Sequence, residues 1–477
     1  MISLDALLQR LNPFQRRAVL DESSATLVNA SVGSGKTTVL IAKALYEHAA
    51  HGVPLGDMVV LTFTNKAAAE IRERMAEWDP QAGDGEMRWF GTFHGVALRM
   101  LQALLPVGEA GYAPSFTVMD REEEVDLAKR LVEEHGLSVR YPNKLEKRLD
   151  ALAAGRVLYG AMRREDDIAR LRDILSLEKT RQNRMGFDDL IANAVQLFPR
   201  SPWFPRWIIV DEFQDCDEMQ LDLLRAMASP ATRLFVVGDP NQAIYSWRGG
   251  SRDIFRRFLR EFQAAELSLP LNYRSSSTIL EAAKCFLGGH SGLEGTREPG
   301  AGIVIRNHYN PFLEGEYLAD RIAGMRGAGA SWRDFAVLYR MQRQSKCLEE
   351  AFKRRGIPFS VSVRRTFRDN PVLQRLIHIL KASVNPDDRG SLLLAAGDVL
   401  PGEWPGGKGG KKTLECRDLH DRIRGFSRWA AEGGRPRGIY GYFGLDDYLS
   451  PASPSFREDR SLVLSFLERL EILVGGG

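Results

Sequence analysis

Cysteine is scarce in this chain: four among 477 residues, at positions 216, 285, 347 and 416, with no Cys-x-x-Cys pair. That spacing argues against a disulfide framework and against a thiolate zinc site, and it suits a reducing compartment. No apolar run is long enough to span a bilayer, and no segment has the order of a secretory leader. The expectation is therefore a soluble, cytoplasmic protein without a membrane partner. Charge of one sign is also lacking, since 65 basic against 62 acidic residues leave only +3. Any nucleic-acid footprint must then be local, because composition alone does not supply one. There are no internal repeats.

What is present is enough for ordinary cores, 44% hydrophobic over a length that suggests about three domains. Strand-like runs recur at Met58–Phe63, Trp207–Val210, Arg233–Val237, Gly302–Arg306 and Phe335–Tyr339, with helical segments between them. This alternation predicts an α/β protein with doubly wound parallel sheets. From about Leu101 to Arg184 the chain turns charged and helical in period, as in Asp120-Arg-Glu-Glu-Glu-Val-Asp-Leu-Ala-Lys-Arg-Leu-Val, which predicts an inserted helical subdomain. After Pro386 another helical module is expected, interrupted by a loop where residues 401–412 are rich in Gly, Pro and Lys.

The apolar run Ala25-Thr26-Leu27-Val28 leads into Ala30-Ser31-Val32-Gly33-Ser34-Gly35-Lys36-Thr37-Thr38, and Val39-Leu40-Ile41-Ala42 follows. Strand, glycine loop with Lys-Thr, then helix is the arrangement that wraps a nucleoside triphosphate, because unpaired N–H groups at the helix start point at phosphate oxygens. Gly33 and Gly35 let the backbone approach, Lys36 reaches the terminal phosphates, and the Thr37 hydroxyl can hold Mg²⁺. Ala30 stands where the pattern usually has its first glycine. A plain glycine turn explains the Lys-Thr pair poorly, and a dinucleotide fold lacks its third glycine.

Trp207-Ile-Ile-Val-Asp211-Glu212-Phe-Gln214-Asp215 is an apolar strand ending in adjacent carboxylates. In a nucleotide site the first can anchor Mg²⁺ and the second can take a proton from attacking water; in isolation the pair would be read as a helix cap. Val236-Val237-Gly238-Asp239-Pro240-Asn241-Gln242-Ala243-Ile244-Tyr245-Ser246-Trp247-Arg248-Gly249 sets a glutamine that could sense a γ-phosphate within six residues of two aromatic rings and an arginine. Phe63 and Phe93 have an alternative reading as rings packed under a sheet, and His94 as a core or capping histidine. The clusters Lys353-Arg354-Arg355 and Arg364-Arg365 are open between solvated faces and phosphate contacts.

In order along the chain, Leu11-Asn-Pro-Phe-Gln15, Ala30 to Thr38, Leu61-Thr-Phe-Thr-Asn65, Gly91-Thr-Phe-His94, Gly186-Phe-Asp-Asp-Leu190, Val210 to Asp215, Val237 to Gly249, Leu271-Asn-Tyr273-Arg274-Ser275 and Val337-Leu-Tyr-Arg340 resemble the UvrD/Rep-type superfamily 1 DNA helicases. The resemblance implies a P-loop NTPase with RecA-like motor domains and inserted helical subdomains. Residues 1–105 with 187–270 would be the first motor domain, 106–186 its helical insertion, 271–385 the start of an incomplete second motor domain, and 386–477 part of a helical accessory domain. It also implies ATP and Mg²⁺ as cofactors and an ATP-driven translocase of 3′-to-5′ polarity acting on single-stranded DNA and on junctions with duplex. By the resemblance Gln15 reads adenine, Tyr273 stacks on it, Arg274 is an arginine finger, Asp211 is a Mg²⁺ ligand, Glu212 the general base and Gln242 the γ-phosphate sensor. Thr62, Phe63, Asn65, Phe93, His94, Tyr245, Trp247 and Arg248 are the matching positions of its single-strand track. Stacking on aromatic rings tolerates any base, as a motor on arbitrary DNA requires. Residues 406–414 resemble the phosphate-binding hairpin of the accessory domain.

The chain departs from the family in lacking the later segments close to His-x-x-Lys-Gly-Leu-Glu and Tyr-Val-Ala-x-Thr-Arg-Ala; His290-Ser-Gly-Leu-Glu294 is a superficial echo read as a loop. One of those segments carries a second arginine for the γ-phosphate, and such a group is worth about 10³ to 10⁵ in rate. The expectation is that this polypeptide alone binds ATP and hydrolyses it slowly, and that apolar sheet surface is left exposed, either for a second polypeptide to cover or because this is a truncated gene product. Two other readings stay open: a non-catalytic, nucleotide-responsive DNA-binding fragment, and the motor part of a helicase-nuclease.

Overall fold

The computed structural model describes residues 4–79, 83, 85–153, 167–243, 253–287, 294–361, 370–396, 410–445 and 456–475. Among the described residues, ten strands run β1 Ala25–Ala30, β2 Met58–Thr62, β3 Phe90–Thr92, β4 Thr117–Val118, β5 Arg184–Met185, β6 Trp207–Val210, β7 Arg233–Gly238, β8 Ala265–Leu269, β9 Leu271–Ser276 and β10 Glu294–Arg297. Six of them form one all-parallel sheet in the order β3-β2-β6-β7-β1-β8.

Both faces of this sheet are covered by helices, so its inner strands are mostly apolar instead of strictly alternating with polar residues. Successive side chains still point to opposite faces. Ala25, Leu27, Val59, Leu61, Ile208, Val210, Leu234 and Val236 enter one core with the helices Phe93–Ala103, Phe187–Leu197 and Glu218–Met227. Val28, Ala30, Met58, Val60, Trp207, Ile209, Phe235 and Val237 enter the other, with Lys36–His51 and Asn65–Trp78. This is the RecA-like P-loop fold the motifs imply. Its parallel register carries the loops after β1, β2, β3, β6 and β7 to one edge of the sheet, where ligands bind in such folds.

The insertion is helical, as its sequence predicts, around Leu127, Leu131, Leu145, Leu171 and Leu175. It also holds something the sequence does not announce: the two-residue strands β4 and β5 pair in parallel and close its base. The segment after Pro371 is helical too, with Leu376, Ile379, Leu419, Ile423, Phe443, Val463 and Leu467 as its core. It meets the insertion through buried charge. Arg184 Nε lies 3.0 Å from Asp388 Oδ1, both side chains almost fully buried, and Glu123 receives Arg184 at 3.0 Å and Lys381 at 2.9 Å. Asn385 Nδ2 donates to the carbonyls of Gln182 and Asn183.

Residues 299–370 form a compact unit separate from the rest of the chain. Its helices Pro311–Gly327 and Ser345–Arg354 pack closely over Gly315, where a Cβ would meet the Cys347 carbonyl at 3.2 Å. The strands expected at Gly302–Arg306 and Phe335–Tyr339 are corrected here: neither is hydrogen-bonded into a sheet. Their pattern is strand-like, but no described segment pairs with them. Ile303, Val304, Ile305 and Leu338 are consequently exposed. Arg354 and Arg355 pair with Glu316, and Arg355 also with Asp320, so that cluster is a solvated face; Arg364 and Arg365 lie outside the described residues.

Candidate nucleotide and nucleic-acid site

After β1 the chain turns through Ser31–Gly35 and enters the helix at Lys36. Ser31 N–H donates to the Leu269 carbonyl of β8 and Ser34 N–H to the Ser31 carbonyl. Gly33 and Gly35 have φ of 67° and 86°, the left-handed region a Cβ disfavours. Close approach forbids a side chain at both places as well: a Cβ on Gly33 would meet Asn272 Nδ2 at 2.6 Å, and one on Gly35 would meet Gln15 Nε2 at 2.7 Å. The first N–H groups of the helix Lys36–His51 are left free of side-chain caps, as an anion site needs.

Two arms hold this loop from outside. Gln15, in the helix Pro13–Val19, forms a reciprocal cap with Asn12 and donates from Nε2 to the Ser34 carbonyl at 2.9 Å. From β9, Asn272 donates to the Val32 carbonyl at 2.6 Å and Tyr273 N–H donates to the Gly33 carbonyl at 3.0 Å. Asn12 Nδ2 donates to the Tyr273 hydroxyl at 2.7 Å, which joins the two arms. Gln15 and Tyr273 thus flank one rim of the loop, and exposed Arg274 lies beside Gly33.

Asp211 continues the register of β6, its N–H donating to the Leu61 carbonyl. Glu212 then takes a left-handed conformation, φ 50°, unusual for a residue with a side chain and costly by about 1 kcal/mol or more. No side-chain cap forms there, which removes the helix-cap alternative. The turn aims Glu212 across the crevice, where Oε2 lies 3.3 Å from Lys36 Nζ. Gln214 Nε2 donates to the same carboxylate at 2.6 Å, while Gln214 Oε1 accepts from Asp239 N–H at 2.9 Å. Asp239 Oδ2 in turn accepts from Gln242 Nε2 at 2.8 Å. A continuous polar chain therefore runs Lys36–Glu212–Gln214–Asp239–Gln242. Gln214 is the link that motif spacing does not reveal; a Cβ on Gly238 would meet its Oε1 at 2.8 Å, so the glycine makes its room.

Burial and the neighbouring Glu212 carboxylate push Asp211 up to about 6, and the same two causes push Asp215 up to about 6. Asp215 Oδ1 is buried with no hydrogen-bond partner. Two carboxyls that resist ionisation, one with an orphan oxygen, are a donor set short of a cation. Among the described residues no cluster of three or more protein ligands exists. Mg²⁺ fits that arrangement, because it binds through one or two protein oxygens together with phosphates and water; Thr37 and Asp211 are the residues that would hold it.

The strand-track positions separate. Asn65 is exposed at the start of the helix Asn65–Trp78 and Phe63 is half-buried before it. Thr62 is buried with an unpartnered hydroxyl. Phe93 is 2% exposed within the core beside β3, so its ring offers no face to a base, and the packed alternative describes it. His94 is half-buried, its ring edge-on to Phe187 at 5.7 Å, and burial lowers its pKa against the opposing pull of Asp188 and Asp217. Phe187 itself is 48% exposed and was not singled out by the sequence; a large ring opening a helix after glycine was the available signal. Tyr245, Trp247 and Arg248 lie outside the described residues, as do residues 406–409 of the hairpin-like segment and His290 to Leu293.

Comparison with known proteins agrees with this geometry. Residues 11–263 match the UvrD/REP helicase N-terminal domain, and residues 267–399 match the UvrD-like helicase C-terminal domain. The chain is 33% identical over 428 residues to the ATP-dependent DNA helicase UvrD1 of Mycobacterium leprae, covering 82% of this chain and 54% of that protein. It is 30% identical over 455 residues to DNA helicase II of Escherichia coli, covering 89% and 60%. It is 29% identical over 421 residues to the ATP-dependent DNA helicase PcrA of Staphylococcus aureus, covering 82% and 56%. The chain thus spans little more than half the length of these relatives. With the phosphate loop and the paired carboxylates at the strand ends of one parallel sheet, and the two family models matching residues 11–263 and 267–399, this chain belongs to the UvrD/Rep helicase family.

Proposed function

We propose that this chain is the ATP-binding motor of a DNA translocase or helicase, coupling Mg²⁺-dependent ATP hydrolysis to 3′-to-5′ movement along single-stranded DNA in the cytoplasm. The observation that carries the reading is the polar chain from Lys36 to Gln242. It links the phosphate loop to the segment that leads into Tyr245, Trp247 and Arg248, so a change at the phosphates has a physical route toward a strand-binding surface.

In this reading the adenine lies between Gln15 and Tyr273, and the phosphates lie along residues 31–38. Lys36 exchanges the Glu212 carboxylate for phosphate oxygen, which frees Glu212 to take a proton from water. Bound Mg²⁺ supplies Lewis-acid neutralisation of phosphate charge. Arg274 adds a cation from the opposite side, and Gln242, tied to Asp239 and Gln214, reports the state of the terminal phosphate. Phe63, Asn65, His94 and Phe187 form the strand track at the same sheet edge, beside Thr62. The names of the relatives, ATP-dependent DNA helicases, support the substrate. Exposed Ile303, Ile305 and Leu338 offer a face to further motor-domain polypeptide, including a second chain that would complete the ATP site; junctions with duplex are the proposed working substrate.

ATP turnover measured with and without oligo(dT), beside a Glu212→Gln control, tests this. Stimulation by the oligonucleotide that the control abolishes is expected even if absolute rates are low. Equal low rates in every condition would overturn it in favour of a nucleotide-responsive fragment.

A further inference from the structure

β3 is the outer strand of the sheet, and its free side is capped in an unusual way. Val60 N–H of β2 donates to the Trp89 carbonyl, so by the alternation of a parallel ladder Phe90 faces outward. Its carbonyl accepts from two guanidinium groups at once: Arg72, from the helix Asn65–Trp78, and Arg99 Nη2, at 3.2 Å, from the helix Phe93–Ala103. A single carbonyl needs no such pair of full charges.

The two cations are side by side and uncompensated. Neither has an ion-pair partner among the described residues, and the Nε of each is buried without a hydrogen-bond partner. Burial and then the charge of Arg72 lower the pKa of Arg99, and no carboxylate opposes them. Half-buried like charges converging on one carbonyl repel each other, and a bound anion would offset that repulsion. The local backbone makes room for the arrangement: a Cβ on Gly91 would meet Arg99 Nη2 at 2.6 Å, and one on Gly95 would stand 3.9 Å from Arg99 Nη1. Arg99 therefore folds back over the turn that opens its own helix, Thr92–Gly95, where the Thr92 hydroxyl accepts from Gly95 N–H. This turn carries His94, which touches Phe187.

We propose that Arg72 and Arg99 together seat one backbone phosphate of the bound nucleic-acid strand, beside the aromatic positions Phe187 and His94. Guanidinium forks suit the oxygens of a phosphodiester, and two forks converging on one oxygen-rich group fix its position as a single lysine would not. The proposal rests on the DNA-binding reading above and adds a fixed phosphate contact to it. The pair would hold the strand in register whatever bases pass.

The test is the salt dependence of oligo(dT) affinity, read by fluorescence anisotropy. A single-strand contact contributes about 0.7 to the log–log slope per phosphate neutralised. The Arg72→Gln/Arg99→Gln double variant should flatten the slope by about that amount, and Arg72→Lys/Arg99→Lys should retain it. An unchanged slope in the glutamine pair, with only a lower melting temperature, would reduce the two arginines to a cover for the strand edge. If the glutamine pair does not fold, arginine-selective modification of the unaltered chain decides, with Arg72 and Arg99 expected to be shielded by oligo(dT) and unshielded residues overturning the seat. Failure of the unaltered chain to bind oligo(dT) at all would bring down the DNA reading and this inference together; binding with an unchanged slope brings down this inference alone.

Discussion

Lys36 Nζ and Glu212 Oε2 stand 3.3 Å apart, so the cation of the phosphate loop and the carboxylate after β6 neutralise one another across the crevice. A triphosphate must take Lys36 away from Glu212, and the two residues cannot both serve the ground state and each other. Removing the charge of Glu212 should therefore do two opposite things. Glu212→Gln is expected to bind a fluorescent ATP analogue several-fold more tightly, and to lower single-turnover hydrolysis by about 10²- to 10⁴-fold. Weaker binding in that variant would show that the ion pair supports the nucleotide site instead of competing with it.

The raised carboxyls make the site pH-dependent. Asp211 is held at about 6 against 3.8 when exposed, and Asp215 likewise at about 6. Between those values the folded state binds more protons than the unfolded one, so these groups lower stability as pH rises through the window and leave it flat above. Asp211→Asn should accordingly raise stability at neutral pH by about 1 to 3 kcal/mol, seen as a higher melting temperature, with the gain shrinking as pH falls from about 6 toward 4. Thermal melts across pH check this. Protons also compete with Mg²⁺, so affinity for Mg²⁺-nucleotide should fall as pH drops through about 6.

Asp388 is fully buried and receives Arg184 at 3.0 Å and the Thr117 hydroxyl at 2.8 Å. Removing one partner of a buried pair typically costs about 3 to 5 kcal/mol, and here it leaves Arg184 with Glu123 alone and the Thr117 hydroxyl without its acceptor. Asp388→Ala should destabilise the chain by that order in urea titration, whereas Arg184→Met combined with Asp388→Leu should recover most of the loss. A double variant as weak as the single one would mean that the hydrogen bonds of Asp388, and not its charge partner, hold the joint.

Phe187 presents its exposed ring next to His94, and stacking on such a ring is worth about 1 to 3 kcal/mol per base. Phe187→Ala should weaken oligo(dT) binding by about five- to a hundredfold and leave ATP binding unchanged. Phe187→Trp should keep the affinity. Equal affinity in the alanine variant would place the strand elsewhere.

Much of this was legible in the sequence because the inner strands announce themselves. β1, β2, β6 and β7 are largely apolar runs that lead into the candidate site residues, and a parallel sheet brings those ends together. The edge strands were harder. β3 is three residues long, and β8, Ala265–Leu269, alternates half-buried and exposed positions, so neither stands out. Phe93 was ambiguous for a related reason, since a ring at the head of a helix can point into the core or out, and only the packing of β3 decides. Gly302–Arg306 and Phe335–Tyr339 have strand composition, but a strand exists only with a neighbour, which sequence composition does not report. Gln214 escaped notice because its role depends on Gly238, 24 positions away in the chain and adjacent in space.

Nucleotide state at Lys36 is expected to alter the grip on single-stranded DNA. The most direct measurement is oligo(dT) affinity without nucleotide, with ADP and with a non-hydrolysable ATP analogue, for the unaltered chain and for Lys36→Ala. Affinities should differ between nucleotide states in the unaltered chain and collapse to one value in Lys36→Ala. The same affinity for both proteins in all three states would contradict this coupling.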